Sequence, residues 1–407
     1  MTGEILFLNI PRTLRSRRTD EVWSLGKRIV LAAIGAIAVV AALIMHAVDR
    51  RLDQMELDTG NVIIDLLDSA ADENPPPATD RDAEAGPPPV EEEPEDFYVL
   101  LIGLDSRENL FLLNTDSLIV AHLIPQTHTV KLLSIPRDQK VILDEEGNAG
   151  KINGVFARGY QAAVRAARDN PDLLSGRKIR LGGVEVHEEY VSSGVSLLKR
   201  TVERHLGVPI SHSFLIHFQS VIELVDKVGG VEINVDRSMH YTAEFDGTSI
   251  HLEPGWQTLD GVNALNYMRH RMDDRGAAYE SSDFDRARRQ QEVIAALAAK
   301  IADWGSLPKA LGLLDIITSN VKTDMSRGKM IALITEFYGN LTKESIKSYP
   351  YPGEWRYPYV EVIEPDFRLT MDAFRAVDDG AQTKERPVSR SFPAAVHRDF
   401  RDRSLFA

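Results

Sequence analysis

Three apolar runs lie close together in the chain: FYVLLI at residues 97–102, SLIVAHLI at 117–124 and VKLLSI at 130–135. Continuous apolar runs of this length are typical of strands that are buried on both faces of a sheet. Because the connections between them are short, we expect the three strands to pair as an antiparallel meander. The end of the first strand, the start of the second and the end of the third then lie at one edge of the sheet.

Charged residues occur at that predicted edge. Asp105 follows the first strand, Asp116 precedes the second, and Arg137 follows the third. The meander therefore predicts that these three side chains meet.

Helical periodicity dominates the sequence that follows. Gly229 and Gly230 separate one predicted helix from VEINV at 231–235, which reads as a further strand, and Asp260 is a candidate helix cap. The predicted helices cover residues 159–168, 192–206, 219–228 and 260–268. A further long helix extends to about residue 303, with Ser282 or Asp283 as its cap. Strands that alternate with helices predict an α/β domain with helices on both faces of a mixed central sheet.

The long helix carries a conflict in its apolar stripe. Ile294, Leu297 and Ile301 form the stripe, and its backward projection falls on Gln290 and Arg286. Either the stripe simply ends and Arg286 reaches solvent, or both polar residues point into a site. In the second case an anion would also meet the positive end of the helix dipole.

An uncharged apolar run, IVLAAIGAIAVVAALIMHAV, occupies residues 29–48. As a helix, its 20 residues would span about 30 Å, the thickness of a bilayer core. Six Lys or Arg residues precede it within residues 1–28. The excess of basic residues before the apolar run predicts a single transmembrane helix with a cytoplasmic N-terminus and an extracytoplasmic main domain. A cleaved signal peptide, which usually has a shorter apolar region, and a buried soluble helix are the alternatives.

The other predicted boundaries follow from composition. Residues 49–96 read as a juxtamembrane segment and a linker, because residues 72–96 hold ten acidic residues, one Arg and seven prolines. Such a stretch is typical of a stiff, extended spacer. Globular patterning extends over residues 97–377, and residues 378–407 lack apolar periodicity, which predicts a disordered tail.

The composition excludes several classes of protein and site. Apolar residues make up 43% and charged residues 27% of the 407 residues, as in globular proteins. The net charge of −14 argues against nucleic acid as a partner, although most of it lies in the linker. The absence of Cys excludes disulfides, zinc–thiolate sites, iron–sulfur clusters and Cys nucleophiles.

The remaining polar residues point to phosphoryl chemistry. Asp105 and Asp116 suit a hard cation such as Mg²⁺, which shares its coordination shell with water and phosphate oxygens. Arginine binds phosphate through planar, bidentate hydrogen bonds, and the candidates are Arg107, Arg137, Arg269, Arg271 and Arg286. Each element alone has a plainer explanation, a turn aspartate or a solvated Arg-x-Arg pair, but together they predict a site for a phosphorylated substrate.

Ordered motifs extend this prediction. The sequence contains FYVLLIGLDSR, NTDSLIVAHL, KLLSIPRD and KIN, then VDKVGGVEINV, LEPGWQTLDGVNALNYMRHR and DFDRARRQQ. In this order they resemble the LytR-CpsA-Psr family of cell-envelope proteins over residues 97–303. PYPGEW and VEVIEPD extend the resemblance more loosely to about residue 376.

The resemblance implies a fold and a reaction. The fold is an α/β/α layered domain with a hydrophobic tunnel for a prenyl chain. The reaction is an Mg²⁺-dependent phosphotransfer, in which a polyprenyl-pyrophosphate-linked glycopolymer, such as a teichoic acid or capsule polysaccharide, is joined to peptidoglycan through a phosphodiester.

The resemblance also assigns roles to residues of this sequence. Asp105 and Asp116 match the magnesium-associated carboxylates. The implied catalytic residues are Asp105, Arg107, Asp116, Arg137, Arg269 and Arg271. The implied pyrophosphate-binding residues are Arg107, Arg137, Lys151, Asn153, Arg269, Arg271, Arg286, Arg289 and Gln290.

The sequence also departs from the family. Asn114 stands where the family commonly has Arg before the Ser/Thr-Asp pair, so one phosphate contact is missing or comes from Arg107. Stretches 158–190 and 272–282 are longer than usual and bear on donor and acceptor identity. Two other functions stay open at this point: a non-catalytic binder or regulator of polyprenyl-phosphate lipids, and a lipid pyrophosphatase with water as acceptor.

Overall fold

A mixed sheet of six strands forms the centre of the described molecule. It belongs to a computed structural model that describes residues 55, 57, 63, 96–104, 113–144, 147–181, 184–243, 247–302, 321–337, 340–342 and 344–377. The strands of this sheet are β1 (Phe97–Leu104), β2 (Thr115–Ile124), β3 (Thr129–Ile135), β8 (Ile210–His217), β13 (Val321–Thr323) and β14 (Ile346–Tyr349). They lie side by side in the order β13-β8-β1-β2-β3-β14.

The predicted antiparallel meander is confirmed. β1 pairs with β2 from Phe97 opposite Leu123 to Leu104 opposite Thr115, and β2 pairs with β3 from Leu118 opposite Ile135 onward. β8 and β14 add to β1 and β3 in parallel, and β13 is antiparallel to β8. The fold is therefore α/β with a mixed central sheet.

The meander strands are buried on both faces, as their uninterrupted apolar sequences predict. Leu100 and Val120 belong to the core on one face of the sheet. Val99 and Ile119 alternate with them and belong to cores on the other face. Each fully buried side chain of this size stabilises the fold by about 1.5–3 kcal/mol.

Helices cover both faces of the sheet. The described helices are α1 (Val155–Asp169), α2 (Glu188–Leu206), α3 (Phe218–Lys227), α4 (Gly261–Arg269), α5 (Asp283–Ala302), α6 (Arg327–Phe337) and α7 (Glu364–Arg375). α1, α2 and α7 contribute to the core that contains Leu100, whereas Ile294 of α5 packs against the core that contains Ile119. The predicted long helix is α5, and both its first and its last residue lie within one residue of the prediction.

The two helices α1 and α2 approach each other closely at glycines. A Cβ atom on Gly159 would lie 2.6 Å from the carbonyl oxygen of Ser193, and one on Gly194 would lie 2.8 Å from the ring of Phe156. Because real Cβ atoms do not approach other atoms this closely, only glycine allows this separation of the helix axes. The position of α1 matters because α1 lines the cavity described below.

Small antiparallel pairs surround the central sheet. Strands β9 (Val231–Val235), β10 (Met239–Ala243), β11 (Thr248–Leu252) and β12 (Gly255–Leu259) share a second core with α4 and α5. The others are β4 (Lys140–Ile142) with β5 (Ala149–Lys151), β6 (Lys178–Leu181) with β7 (Val184–His187), and β15 (Gly353–Arg356) with β16 (Tyr359–Val362). The long stretch 158–190 thus contains most of α1 and the β6–β7 hairpin.

The described residues bear on the predicted N-terminal organisation only in part. Residues 1–28, the predicted transmembrane helix 29–48 and the tail 378–407 lie outside them. Among the residues that are described, no helix has both the length and the apolarity to cross a membrane. Within the predicted segment 49–96, Met55, Leu57 and Ile63 are buried, and the amide of Leu57 donates to the carbonyl of Thr323 at 2.6 Å.

Candidate active site

A cluster of arginines and aspartates lies where the meander meets the start of α5. Arg137 Nη1 donates to Asp116 Oδ1 at 3.4 Å, which confirms the predicted meeting of these two residues at the sheet edge. Asp283, the first residue of α5, lies 3.0 Å from Arg286, 3.4 Å from Arg271 and 4.0 Å from Arg137. We call these five residues the arginine cluster.

The end of β3 presents Arg137 to this cluster. Pro136 ends the strand, and the chain turns at residues 137–138. The carbonyl of Arg137 accepts a hydrogen bond from the amide of Asn153, and Lys151 lies 2.9 Å from Asp138. The predicted site residues Lys151 and Asn153 are thus held beside Arg137 by direct contacts.

The N-terminus of α5 is fixed by a reciprocal cap. Ser282 Oγ accepts from the amide of Asp285, and Asp285 Oδ2 accepts from the amide of Ser282. Of the two predicted caps, Ser282 and Asp283, Ser282 is the observed one, and the helix starts at Asp283.

The apolar stripe of α5 continues into polar residues that face the sheet. Arg286 is 7% exposed and Gln290 is 4% exposed, so Arg286 does not reach solvent. Ser117 of β2 donates to Gln290 Oε1 at 2.8 Å. The interpretation that both residues point inward is confirmed, and the pair links α5 to the strand that carries Asp116.

Positive charge accumulates in a partly dehydrated setting. Burial lowers the pKa of Arg286, Asp283 opposes this shift, and the nearby Arg137 and Arg271 reinforce it. The guanidinium still stays charged, because the arginine pKa is far above neutrality. Arginines held together in this way favour a multiply charged anion such as a diphosphate.

Two buried polar atoms of the cluster lack hydrogen bonds to the described residues. They are Arg137 Nε and Asp283 Oδ1, although each lies within ion-pair distance of an opposite charge. Buried polar groups of this kind are rare in folded proteins and call for an explanation. Arg137 Nε thus keeps donor capacity for an oxygen of a bound ligand.

Arg269 and Arg289 occupy other surroundings. Arg269 is the last residue of α4 and is partly buried, two residues before Arg271. Arg289 is fully buried and binds Asp236 through two contacts of 2.9 and 3.0 Å, and it donates to Ser281 at 2.8 Å. Burial alone would raise the pKa of Asp236, but the hydrogen bond and charge of Arg289 lower it to about 2. The described contacts thus place Arg289 in a structural ion pair.

Asp105 and Arg107 lie outside the described residues. β1 ends at Leu104, which pairs with Thr115, the residue before Asp116. The metal-binding role of Asp105 and the phosphate-binding role of Arg107 therefore stay predictions.

A cavity of about 700 Å³ adjoins the cluster. Lys151 and Asn153 line it together with one face of α1, so we call it the α1 cavity. Its other lining residues are Asn114, Leu143, Gly154, Ala157, Arg158, Gln161, Ala162, Arg165 and Leu197. The cavity thus combines aliphatic side chains with basic ones, and it includes Asn114, the position where the resemblance implies an arginine.

The described carboxylates can be tested against a magnesium site. Within the described ranges, no three His, Cys, Asp or Glu side chains group as metal ligands. Asp116 supplies one hard oxygen donor and keeps 26% of its side chain exposed. Because Mg²⁺ retains several waters and needs only one or two carboxylates, Asp116 fits such an ion, with Asp105 as the second predicted ligand.

Sequence reasoning did not select Asp283 as a site residue and considered it only as a helix cap. A signal was available, because Asp283 precedes Arg286 by three positions and such pairs lie on one helix face. Arg158 and Arg165 were also missed, since only the packing of α1 brings them to the cavity.

Known proteins are similar to this chain in sequence and in fold. A model of the LytR-CpsA-Psr family (LytR_cpsA_psr) matches residues 67–366. The polyisoprenyl-teichoic acid–peptidoglycan teichoic acid transferase TagU of Halalkalibacterium halodurans is 29% identical over 60% of this chain and 66% of its own length. TagU of Bacillus cereus strain ATCC 14579 is 28% identical over 67% of this chain and 76% of its own.

A solved structure supports the fold. The crystal structure of Bacillus subtilis TagV matches with a TM-score of 0.51 and 24% identity, over 69% of this chain and 96% of that one. This similarity agrees with the mixed central sheet.

Proposed function

Because the chain belongs to the LytR-CpsA-Psr family, we propose that it joins a glycopolymer from a polyprenyl-pyrophosphate-linked precursor to peptidoglycan through a phosphodiester. The related TagU proteins are named for a polyisoprenyl-linked teichoic acid and peptidoglycan, the two substrate classes that this reaction needs. Within the chain itself, the arginine cluster carries the proposal. Arg137, Arg271 and Arg286 all lie within 4.0 Å of Asp283, so three guanidinium groups are available in one place for a diphosphate.

In the proposed reaction, a sugar hydroxyl of peptidoglycan attacks the phosphorus atom that bears the glycopolymer. A new P–O bond forms, the P–O bond to the polyprenyl phosphate breaks, and polyprenyl phosphate leaves. The hydroxyl proton passes to a carboxylate, for which Asp116 is the described candidate. The arginines orient the diphosphate and neutralise the charge that develops on its oxygens.

Mg²⁺ is part of the proposal. Asp116, with Asp105, would hold it, and the ion would neutralise diphosphate oxygens when bound. The support is the partly exposed carboxylate of Asp116 at the arginine cluster.

The α1 cavity is the proposed site for the part of the donor next to its phosphates. Its link to the cluster is short, because Lys151 lines the cavity and contacts Asp138, the residue after Arg137. Its aliphatic residues, Leu143 and Leu197 among them, suit a lipid chain, and its basic residues suit phosphate.

Membrane anchoring is a separate part of the proposal. The uncharged run 29–48 and the basic residues before it support a single-pass anchor with the domain 97–377 outside the cell membrane. Such an anchor would hold the domain near a lipid-linked donor.

Product analysis tests the proposed function. The full chain is incubated with a synthetic polyprenyl-pyrophosphate glycan, peptidoglycan and Mg²⁺, and the products are identified by mass spectrometry. We expect a glycan linked to peptidoglycan by a phosphodiester. Free glycan phosphate without linkage would indicate a pyrophosphatase, and tight donor binding without turnover would indicate a binding protein.

The variant Arg137→Ala tests the site. Loss of one charge-stabilising donor in a preorganised site costs about 2.7–4 kcal/mol, so we expect transfer to slow by about 10²–10³-fold. Arg204→Ala is the control, because Arg204 is an exposed arginine in the last turn of α2 and does not line the α1 cavity. Transfer by Arg137→Ala at the wild-type rate would contradict the assignment.

A further inference from the structure

The β15–β16 hairpin presents two large aromatic side chains to solvent. Trp355 is 50% exposed and Tyr357 is 80% exposed. Aromatic rings left in water at one place on a folded surface commonly mark a binding site.

The hairpin is attached directly to the strand end that carries Arg137. The amide of Val360 donates to the carbonyl of Asp138 at 2.8 Å, and Val360 also bridges to Gln139. Lys140 forms an ion pair of 2.9 Å with Glu361 on the same hairpin. The hairpin backbone is therefore hydrogen-bonded to Asp138, the residue that follows Arg137 of the arginine cluster.

Lys151 connects the hairpin to the α1 cavity. Its Nζ lies 5.6 Å from the centre of the Trp355 ring and 2.9 Å from Asp138 Oδ1. The same side chain lines the α1 cavity. Trp355 thus stands at the rim between the proposed donor site and solvent.

We propose that Trp355 and Tyr357 bind a sugar ring of the acceptor glycan, as a stacking platform beside the arginine cluster. The inference rests on the proposed function, because the transfer needs a second substrate whose hydroxyl reaches the donor phosphate. The C–H face of a sugar stacks on an aromatic ring, and Lys151, which lies over the Trp355 ring, can hydrogen-bond its hydroxyl groups. An acceptor held on this hairpin would approach the cluster from the solvent side.

Charges on the hairpin favour a glycan over a lipid surface. Glu354 and Arg356 form an ion pair on either side of Trp355 in the sequence, and 46% of the Glu354 side chain is exposed. Glu361 lies opposite Glu354 in the strand pairing and is 31% exposed. Insertion into a bilayer would dehydrate these carboxylates at considerable cost, whereas the hydroxyl groups of a glycan can donate hydrogen bonds to them.

Binding of the acceptor alone tests the proposal. A fluorescently labelled soluble glycan fragment from peptidoglycan is titrated with the full chain, without donor, and its anisotropy is measured. We expect Trp355→Ala to weaken binding about tenfold and Trp355→Phe to retain binding within about threefold. Tyr357→Ala should weaken binding about threefold and leave the thermal unfolding midpoint unchanged, because that side chain is mostly exposed.

Trp256→Ala is the matched control. Trp256 is 69% exposed but belongs to the separate β9–β12 pair, so this variant should bind the fragment like the wild type. In transfer assays, Trp355→Ala should raise the KM for the acceptor about tenfold and leave the KM for the donor within about twofold.

Several outcomes would overturn the proposal. One is a wild-type chain that does not bind the fragment. Another is that the Trp355→Ala and Tyr357→Ala variants bind the fragment like the wild type. A third is that these variants lose binding to phospholipid vesicles while they keep binding to the glycan. Trp355-dependent glycan binding without any transfer would instead refute the proposed transferase function and support the glycan platform.

Discussion

At the residue scale, Asp283 brings three arginines together. It lies 3.0 Å from Arg286, 3.4 Å from Arg271 and 4.0 Å from Arg137. Its carboxylate offsets the repulsion among these cations and orients their guanidinium groups. The same negative charge opposes an incoming phosphate, so Asp283 has two opposite effects on catalysis.

These two effects predict how Asp283→Asn will behave. Removal of the charge should tighten donor binding and lower the donor KM several-fold. The arginines lose their common partner, so kcat should fall about tenfold. Steady-state kinetics with varied donor concentration measures both values.

Glu232→Gln is the control for net charge, since Glu232 is exposed on β9. It should leave both constants within about twofold of the wild type. A higher donor KM in Asp283→Asn would show that orientation outweighs charge and would contradict the prediction.

His205 gives the stability a pH dependence. Burial lowers its pKa from 6.5 to about 4, and its Nε2 lies 2.6 Å from the hydroxyl of Tyr351. At pH values between these two pKa values, His205 binds a proton in the unfolded chain but not in the folded chain. The free energy of unfolding therefore falls as the pH falls from about 6.5 toward 4.

We expect His205 to contribute about 2 kcal/mol of lost stability between pH 7.5 and pH 5. Urea denaturation of the wild type and of His205→Gln at both pH values measures this contribution. The variant should lose about 2 kcal/mol less than the wild type over this interval. Burial also lowers the pKa of His217 to about 4, so some pH dependence should persist in the variant. Identical losses in both proteins would refute the prediction.

At the element scale, the close packing of α1 on α2 sets the wall of the α1 cavity. Gly159 of α1 faces backbone atoms of α2, which cannot move aside as a side-chain end can. The separation of the two helices is therefore fixed by the absence of a side chain at this point.

Gly159→Ala should consequently destabilise the fold. Overpacking of this kind costs about 1–3 kcal/mol, and the higher helix propensity of alanine returns at most about 1 kcal/mol. We expect a net loss of about 1–2 kcal/mol in urea denaturation. Gly328→Ala in α6 is the control, because no atom lies within 4 Å of its added Cβ, and it should be neutral or slightly stabilising. Equal stability of the two variants would argue against the steric explanation.

The orientation of α5 has a different origin. Gln290 accepts a hydrogen bond from Ser117 of β2, and Gln291 donates to Ser134 of β3 at 2.7 Å. These bonds hold the N-terminal half of the helix against the two strands that carry Asp116 and Arg137. The helix thereby presents Arg286 to the cluster in a fixed rotation.

At the scale of the whole molecule, α7 closes the C-terminal part of the described domain onto its first strands. Phe374 is fully buried, with ring centres 6.0 Å from Tyr98 and 5.8 Å from Tyr349. The buried Lys131 of β3 donates to the carbonyls of Ala373 and Ala376 at the end of α7, where the helix dipole favours a cation. The fold therefore depends on a contact between distant parts of the chain.

Phe374→Ala should cost about 3–5 kcal/mol of unfolding free energy, because it leaves a cavity in the central core. Leu369→Ala is the control on the same helix, since Leu369 is 68% exposed and its loss should change stability by less than about 0.5 kcal/mol. Urea denaturation of both variants measures the difference. A small effect of Phe374→Ala would show that α7 is not part of the cooperative unit.

The sequence alone determined the features that depend on local patterns. Uninterrupted apolar runs with short connections specified the β1–β3 meander, and that meander brings Asp116 to Arg137. The stripe of α5 specified that Arg286 and Gln290 face inward, because residues four apart share one face of a helix. These patterns can be read from neighbours along the chain.

Tertiary structure alone decided which partner each polar residue at the start of α5 contacts. Arg289 lies three positions after Arg286 on α5, yet it binds Asp236, the residue that follows β9. Asp283 became the centre of the cluster because the chain brings Arg137 and Arg271 to the start of α5. The β15–β16 hairpin reached the site through a backbone hydrogen bond from Val360 to Asp138 and a bridge between Val360 and Gln139, and such backbone contacts do not depend on the side chains. Contacts of this kind depend on where distant segments meet, and the spacing of residues within a segment carries no information about that.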